Sequence, residues 1–75
     1  MDSDETLDAK GLNCPLPILK AKKALKGIEA GQILEVISTD PGSVADFEAF
    51  CRTTGNELLG SSQGDGVFTY YIKKS

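Results

Sequence analysis

Apolar positions along this chain switch between compact β-branched runs and a recurrence at helical spacing, and each switch marks an element. Residues 1 to 4 read as a loose tail, and Glu5 to Ala9 as a short strand closing near Lys10-Gly11. From Pro15 to about Ile28, the residues Ile18, Ala21, Leu25 and Ile28 form one apolar stripe, with Gly27 and Gly31 near its end. That spacing predicts a helix. Gln32 to Thr39 contains Ile33-Leu34-Glu35-Val36-Ile37, a β-branched run of strand length. Asp40-Pro41-Gly42-Ser43 joins good N-cap residues to a proline suited to a first helical position, so a second helix is expected to begin here. It should run to Thr54 and stop at Gly55. Asn56 to Ser61 and Val67 to Lys73 read as strands flanking Ser62-Gln63-Gly64-Asp65-Gly66, a turn-rich stretch that predicts a hairpin.

The order β-α-β-α-β-β with short links predicts a two-layer α/β (α+β) sandwich. Right-handed crossovers would place both helices on one face of a mixed four-stranded sheet. Seventy-five residues support one domain spanning residues 1–75, with about 60 to 65% of the unfolded surface buried. With 40% hydrophobic and 25% charged residues the composition is that of an ordinary globular protein. No internal repeat is present. The acidic opening Met1-Asp2-Ser3-Asp4-Glu5-Thr6 is unlike a secretory signal, and no apolar stretch is long enough to span a bilayer. A cytoplasmic monomer without a membrane partner is expected.

Residue types then narrow the chemistry. The chain has no histidine, which excludes a Cys-His dyad or a Ser-His-Asp triad. Its two cysteines, Cys14 and Cys51, are 37 positions apart and form no CxxC pair, too few soft ligands for a metal site. Without export signals they are expected as reduced thiols. The net charge of −3 hides a segregation: Asp2, Asp4, Glu5 and Asp8 crowd the start, while Lys20, Lys22, Lys23 and Lys26 share one segment. Overall acidity, with no aromatics among these lysines, argues against direct nucleic-acid binding and for an acidic protein partner.

Cys14 stands in Gly11-Leu12-Asn13-Cys14-Pro15-Leu16-Pro17, just before the first helix. Unpaired N–H groups and the positive end of the helix dipole favour thiolate over thiol there. If the terminus contributes about 1 kcal/mol, the thiolate fraction at neutral pH rises from about 3% to about 14%. Pro15 biases Cys14 toward an extended N-cap conformation and can itself be the first helical residue. Pro17 has no N–H to offer the sulfur, so the Leu16 N–H is the backbone donor expected nearest to it. A free cysteine is otherwise among the most buried residue types, but a residue in a loop before a helix is seldom central to a core.

Cys51 gives the contrast. Val44, Phe47, Phe50, Cys51 and Thr54 share one face of the second helix on a wheel, which predicts a buried, unreactive thiol. On the first helix, Leu16 and Leu19 project to the side of Lys20, Lys22, Lys23 and Lys26 rather than to the core stripe. Apolar anchors in a basic rim suit docking, although a charged outer face is also what any surface helix presents. Gly60 to Gly66 lacks a Walker lysine and a following helix, so a hairpin turn explains it better than a phosphate loop. Asp8 and Asp40 fall at element boundaries, where aspartate turns or caps the backbone, and both are read as structural.

Taken together, Leu7-Asp8, Gly11-Leu12, Cys14-Pro15-Leu16-Pro17, Thr39-Asp40-Pro41 and Phe50-Cys51 resemble the TusA/SirA-like family of small sulfur-carrier proteins, nearly end to end. The resemblance implies a two-layer sandwich in which Cys14 accepts sulfane sulfur as a persulfide, with Gly11, Pro15 and Pro17 shaping the motif. It implies a sulfurtransferase of carrier type that needs no cofactor beyond that covalent sulfur. The donor would be a cysteine desulfurase or a rhodanese-like protein, and a downstream protein would accept the sulfur. By the same resemblance the basic first helix meets the desulfurase, which supports Lys22 and Lys26; with Leu16, Leu19 and Lys23 from the wheel they make up the expected partner-binding residues. The pathway implied is tRNA 2-thiouridine synthesis, with dissimilatory sulfur oxidation as the alternative.

One exposed thiolate without a general base can take and release sulfur by nucleophilic exchange, so the residues agree with such a role. Two other readings stay open. The leucine-lysine face suits a non-catalytic regulatory or interaction module, and the two thiols could form a redox pair if Cys51 were as accessible as Cys14.

Overall fold

The computed structural model describes residues 3–13 and 16–75. Its elements are β1 (Glu5–Ala9), α1 (Leu16–Lys26), β2 (Ile33–Ser38), α2 (Ser43–Thr54), β3 (Glu57–Gly64) and β4 (Val67–Lys73). The strands form one mixed sheet in the order β1-β2-β4-β3. β1 runs parallel to β2, and α1 is the crossover that a parallel pair requires. β2 pairs antiparallel with β4, and the hairpin carries β3 to the far edge.

Alternation on the two central strands decides which face the helices cover. Leu34, Val36 and Ser38 of β2 are buried, and so are Phe68, Tyr70 and Ile72 of β4, set opposite one another as Leu34↔Ile72, Val36↔Tyr70 and Ser38↔Phe68. Ala21 and Leu25 of α1 and Phe47 and Cys51 of α2 join Leu34, Val36, Phe68, Tyr70 and Ile72 in one core cluster. Each large apolar side chain buried there contributes about 1.5 to 3 kcal/mol. Phe47 stacks on Tyr70 with ring centroids 4.8 Å apart and meets Phe50 edge-on at 6.4 Å. Ser43, the first residue of α2, is buried and shares a 2.6 Å hydrogen bond with the Tyr70 hydroxyl. The two-layer sandwich with both helices on one face is the architecture the residue pattern implies.

Several local expectations are corrected. Pro41 does not open α2: Pro41 and Gly42 form a turn, and the helix starts at Ser43 behind a Gly42 N-cap with no side-chain hydrogen bond. Ser43 faces inward, while Val44 is 37% exposed and Thr54 also faces solvent. α1 ends at Lys26, short of Ile28, although Ile28 is still buried. β3 extends to Gly64, so the hairpin closes through Asp65 and Gly66 alone, with φ of 53° and 76°. Two consecutive positive φ values match the twist of a tight hairpin, which is why an Asp-Gly pair closes it. A bulge at Leu58/Gly60 accommodates the extra residue on β3. The loose tail also ends sooner than expected: the Asp4 N–H donates to the Ile33 carbonyl and the Ile33 N–H to Asp4 Oδ2, both at 2.8 Å.

Candidate functional site

β1 and β2 are parallel, so they finish side by side at Ala9↔Ser38, and the segments that follow leave the sheet together. Ligand-handling groups collect at such carboxyl ends in α/β folds. Past Ala9 the chain turns sharply. Asp8 Oδ1 accepts the Lys10 N–H at 3.0 Å, and the Leu12 N–H returns to the Ala9 carbonyl at 3.2 Å. Gly11 sits at φ +82° with open space where a Cβ would project, so glycine is favoured by backbone conformation alone. Its N–H donates to Thr39 Oγ1 at 2.9 Å, tying this loop to the residue after β2. Asp40 is structural in the sense expected, accepting the Gly42 N–H at 3.0 Å.

Cys14 and Pro15 lie outside the described residues, so the structure supplies their frame: Asn13 on one side and the start of α1 on the other. Pro17 is fully buried, and in the first turn of a helix its missing N–H costs nothing. The Leu16 N–H donates to the Asn13 carbonyl at 2.8 Å, which engages the donor expected to sit nearest the sulfur. No acidic residue occupies the first turn of α1.

Leu16 and Leu19 are 46% and 54% exposed, as their place on the wheel implies. The lysines, however, do not share a single face with them. Leu19 and Lys22 join Ile18 on one flank of α1, where Asp46, Ala49 and Phe50 of α2 complete an open groove of about 480 Å³. Lys20 and Lys23 lie on the other flank, with Glu5, Leu7, Ala24 and Gly27 around a second hollow of about 380 Å³. Lys26 is exposed and lines neither. The contribution of α2 escaped the sequence reading. Its one signal is Phe50, which packs against the core as its wheel position implies and also lines the groove.

A family model described as Sulfurtransferase TusA matches residues 5–74. The chain belongs to the TusA family. It is 61% identical over 74 residues to the sulfur carrier protein TusA of Allochromatium vinosum, covering 99% of this chain and 97% of that one. It is 56% identical over 71 residues to a putative sulfur carrier protein of Neisseria meningitidis serogroup A, covering 95% and 96% of the two chains. A crystal structure of a SirA-like protein from Desulfitobacterium hafniense superposes with a TM-score of 0.81 at 31% identity, over 92% of this chain and 95% of that one. TusA-family membership makes the chain a sulfur carrier, which must meet protein donors and acceptors of sulfur. Among the described residues no helix is long and apolar enough to cross a membrane.

Within this TusA fold Cys51 is a free thiol, 5% exposed in the core, and burial raises its pKa above the ordinary 9.0. Such a thiol is protonated and hidden at neutral pH, unsuited to exchange. Burial likewise raises the Tyr70 hydroxyl, against the smaller opposing effect of its bond to Ser43. Neither group has the access that sulfur exchange with another protein requires.

Proposed function

We propose that Cys14 carries a sulfane sulfur as a persulfide and relays it between protein partners. The observation that supports this reading best is the frame around Cys14. A loop tied at Gly11 and Leu12 leads into it, and the first turn of α1, free of acids and flanked by exposed Leu16, leads away. In the loading step the Cys14 thiolate attacks the terminal sulfur of a donor persulfide. A new S–S bond forms on Cys14, the S–S bond of the donor breaks, and the donor leaves as a thiolate. No external oxidant or resident cofactor enters, because the electron pair released to the donor balances the one Cys14 supplies. Acid-base groups belong to the partner, which accounts for a carrier without histidine.

The donor in this reading is a cysteine desulfurase or rhodanese-like protein, seated across α1 at Leu16, Leu19 and Lys22 with the α2 side of the groove. The Gly11, Pro15 and Pro17 positions shape the loop that presents the thiol. The acceptor is a protein of tRNA 2-thiouridine synthesis, and the same step would serve sulfur oxidation unchanged. Incubation with a desulfurase and cysteine, followed by intact mass measurement, tests the reading. One added sulfur on the wild type and none on Cys14→Ser is expected, whereas an unmodified wild type would refute it.

A further inference from the structure

Three consecutive polar residues leave β2, and each side chain accepts one backbone N–H. Ser38 Oγ takes that of Asp40 at 3.2 Å and Asp40 Oδ1 that of Gly42 at 3.0 Å, both two positions away. These two shape their own connection into α2. Thr39 does something different, since its Oγ1 accepts the Gly11 N–H from 28 positions away. The parallel β1–β2 pairing ends at Ala9↔Ser38, and the Thr39 hydroxyl extends it by one more tie where the main chains have parted.

That tie holds a residue whose conformation sets the direction of the loop. Gly11 at φ +82° turns the chain from β1 toward Asn13, the residue before Cys14 in the sequence. Among the described residues the other bonds of this loop, Lys10 N–H to Asp8, Leu12 N–H to Ala9 and Leu16 N–H to Asn13, are local. The first two hold the loop to the end of its own strand β1, and Leu12 packs against the core, whereas the Thr39 bond ties the loop to the chain leaving β2. Thr39 is also β-branched, which restricts its side chain to few rotamers and holds the acceptor in place. The bond is solvent-exposed, so water can replace it at small expense in stability. Its effect therefore falls on where the loop sits rather than on whether the protein folds.

We infer that Thr39 is a positioning residue for the Cys14 site, its hydroxyl orienting the Gly11–Asn13 loop through the Gly11 N–H. The inference rests on the reading of Cys14 as the sulfur-bearing residue, and its test separates the two. Thr39→Val removes the acceptor at constant shape, and Thr39→Ser retains it. Amide exchange at Gly11, followed by NMR, should quicken about fivefold in Thr39→Val and stay near wild type in Thr39→Ser. The pH profile of iodoacetamide labelling at Cys14, mapped by peptide with buried Cys51 as internal control, should change in Thr39→Val and be restored in Thr39→Ser. Sulfur loading at saturating desulfurase should fall severalfold in Thr39→Val with KM for the desulfurase unaltered, because the α1 groove is untouched. A Thr39→Val protein with wild-type Gly11 exchange or a wild-type Cys14 profile overturns the inference, as does a Thr39→Ser protein as impaired as Thr39→Val. A wild type that takes no sulfur refutes the carrier reading instead, and exchange and labelling still decide the role of Thr39.

Discussion

Ser43 and Tyr70 join the first turn of α2 to the middle of β4 through a buried hydrogen bond of 2.6 Å. Neither hydroxyl has access to water, so removing one strands the other. Tyr70→Phe keeps the stack on Phe47 yet leaves Ser43 without its partner, and is expected to cost about 1 to 3 kcal/mol. Thermal unfolding should register this as a drop of about 4 to 8 °C per kcal/mol in a domain of this size. Ser43→Ala should behave similarly. The double variant should lose less than the sum of the two, because no polar group is then left unpaired.

Cys51 predicts an alkaline decline in stability. Above the ordinary thiol value of 9.0 the unfolded chain releases the Cys51 proton while the fold retains it. The unfolded state then binds fewer protons, so stability falls as pH rises. Tyr70 and Tyr71 act in the same sense above 10.0, Tyr70 through burial and Tyr71 chiefly through its hydrogen bond to Glu35. Urea titrations on a Cys14→Ser background should give a stability contribution from these groups that is flat near neutral pH and declines from about 9.0. Cys51→Ala should remove the first part of that decline and leave the tyrosine part.

The α1–α2 groove predicts that docking and sulfur transfer can be separated. Leu19→Ala with Lys22→Glu changes the groove but not the loop before Cys14. Transfer from a desulfurase should need about tenfold more partner for half-maximal rate, with iodoacetamide labelling of Cys14 unchanged. Cys14→Ser should show the reverse, binding the desulfurase as wild type does while accepting no sulfur. A Lys22→Glu protein that binds every partner normally would remove this groove from the account. Full function carried by Cys14→Ser would favour a pure interaction module.

The sheet and both helices were legible because β-branched runs and a helical apolar stripe have few alternative meanings in so short a chain. Element starts were harder to read. Pro41 fits a first helical position as well as it fits a turn, and a wheel drawn through the apolar residues includes Val44 at the edge of the inward face while passing over the polar Ser43 that lies nearer its centre. The lysine-leucine face illustrates a second limit. A wheel shows one helix without neighbours, so it groups Lys22 with Lys23, which α2 and β1 draw to opposite flanks. Thr39 shows a third, since a hydroxyl that reaches across 28 positions leaves no local pattern. Cys14 itself was singled out by its place between Asn13 and two prolines and by the family motif, with Cys51 as the buried contrast.

Where a delivered sulfur resides tests the central claim most directly. After incubation with a desulfurase and cysteine, trapping of persulfides by alkylation and peptide mapping should place one extra sulfur on the peptide containing Cys14 and none on the peptide containing Cys51. Sulfur found on Cys51, or retained by a Cys14→Ser protein, would contradict the account.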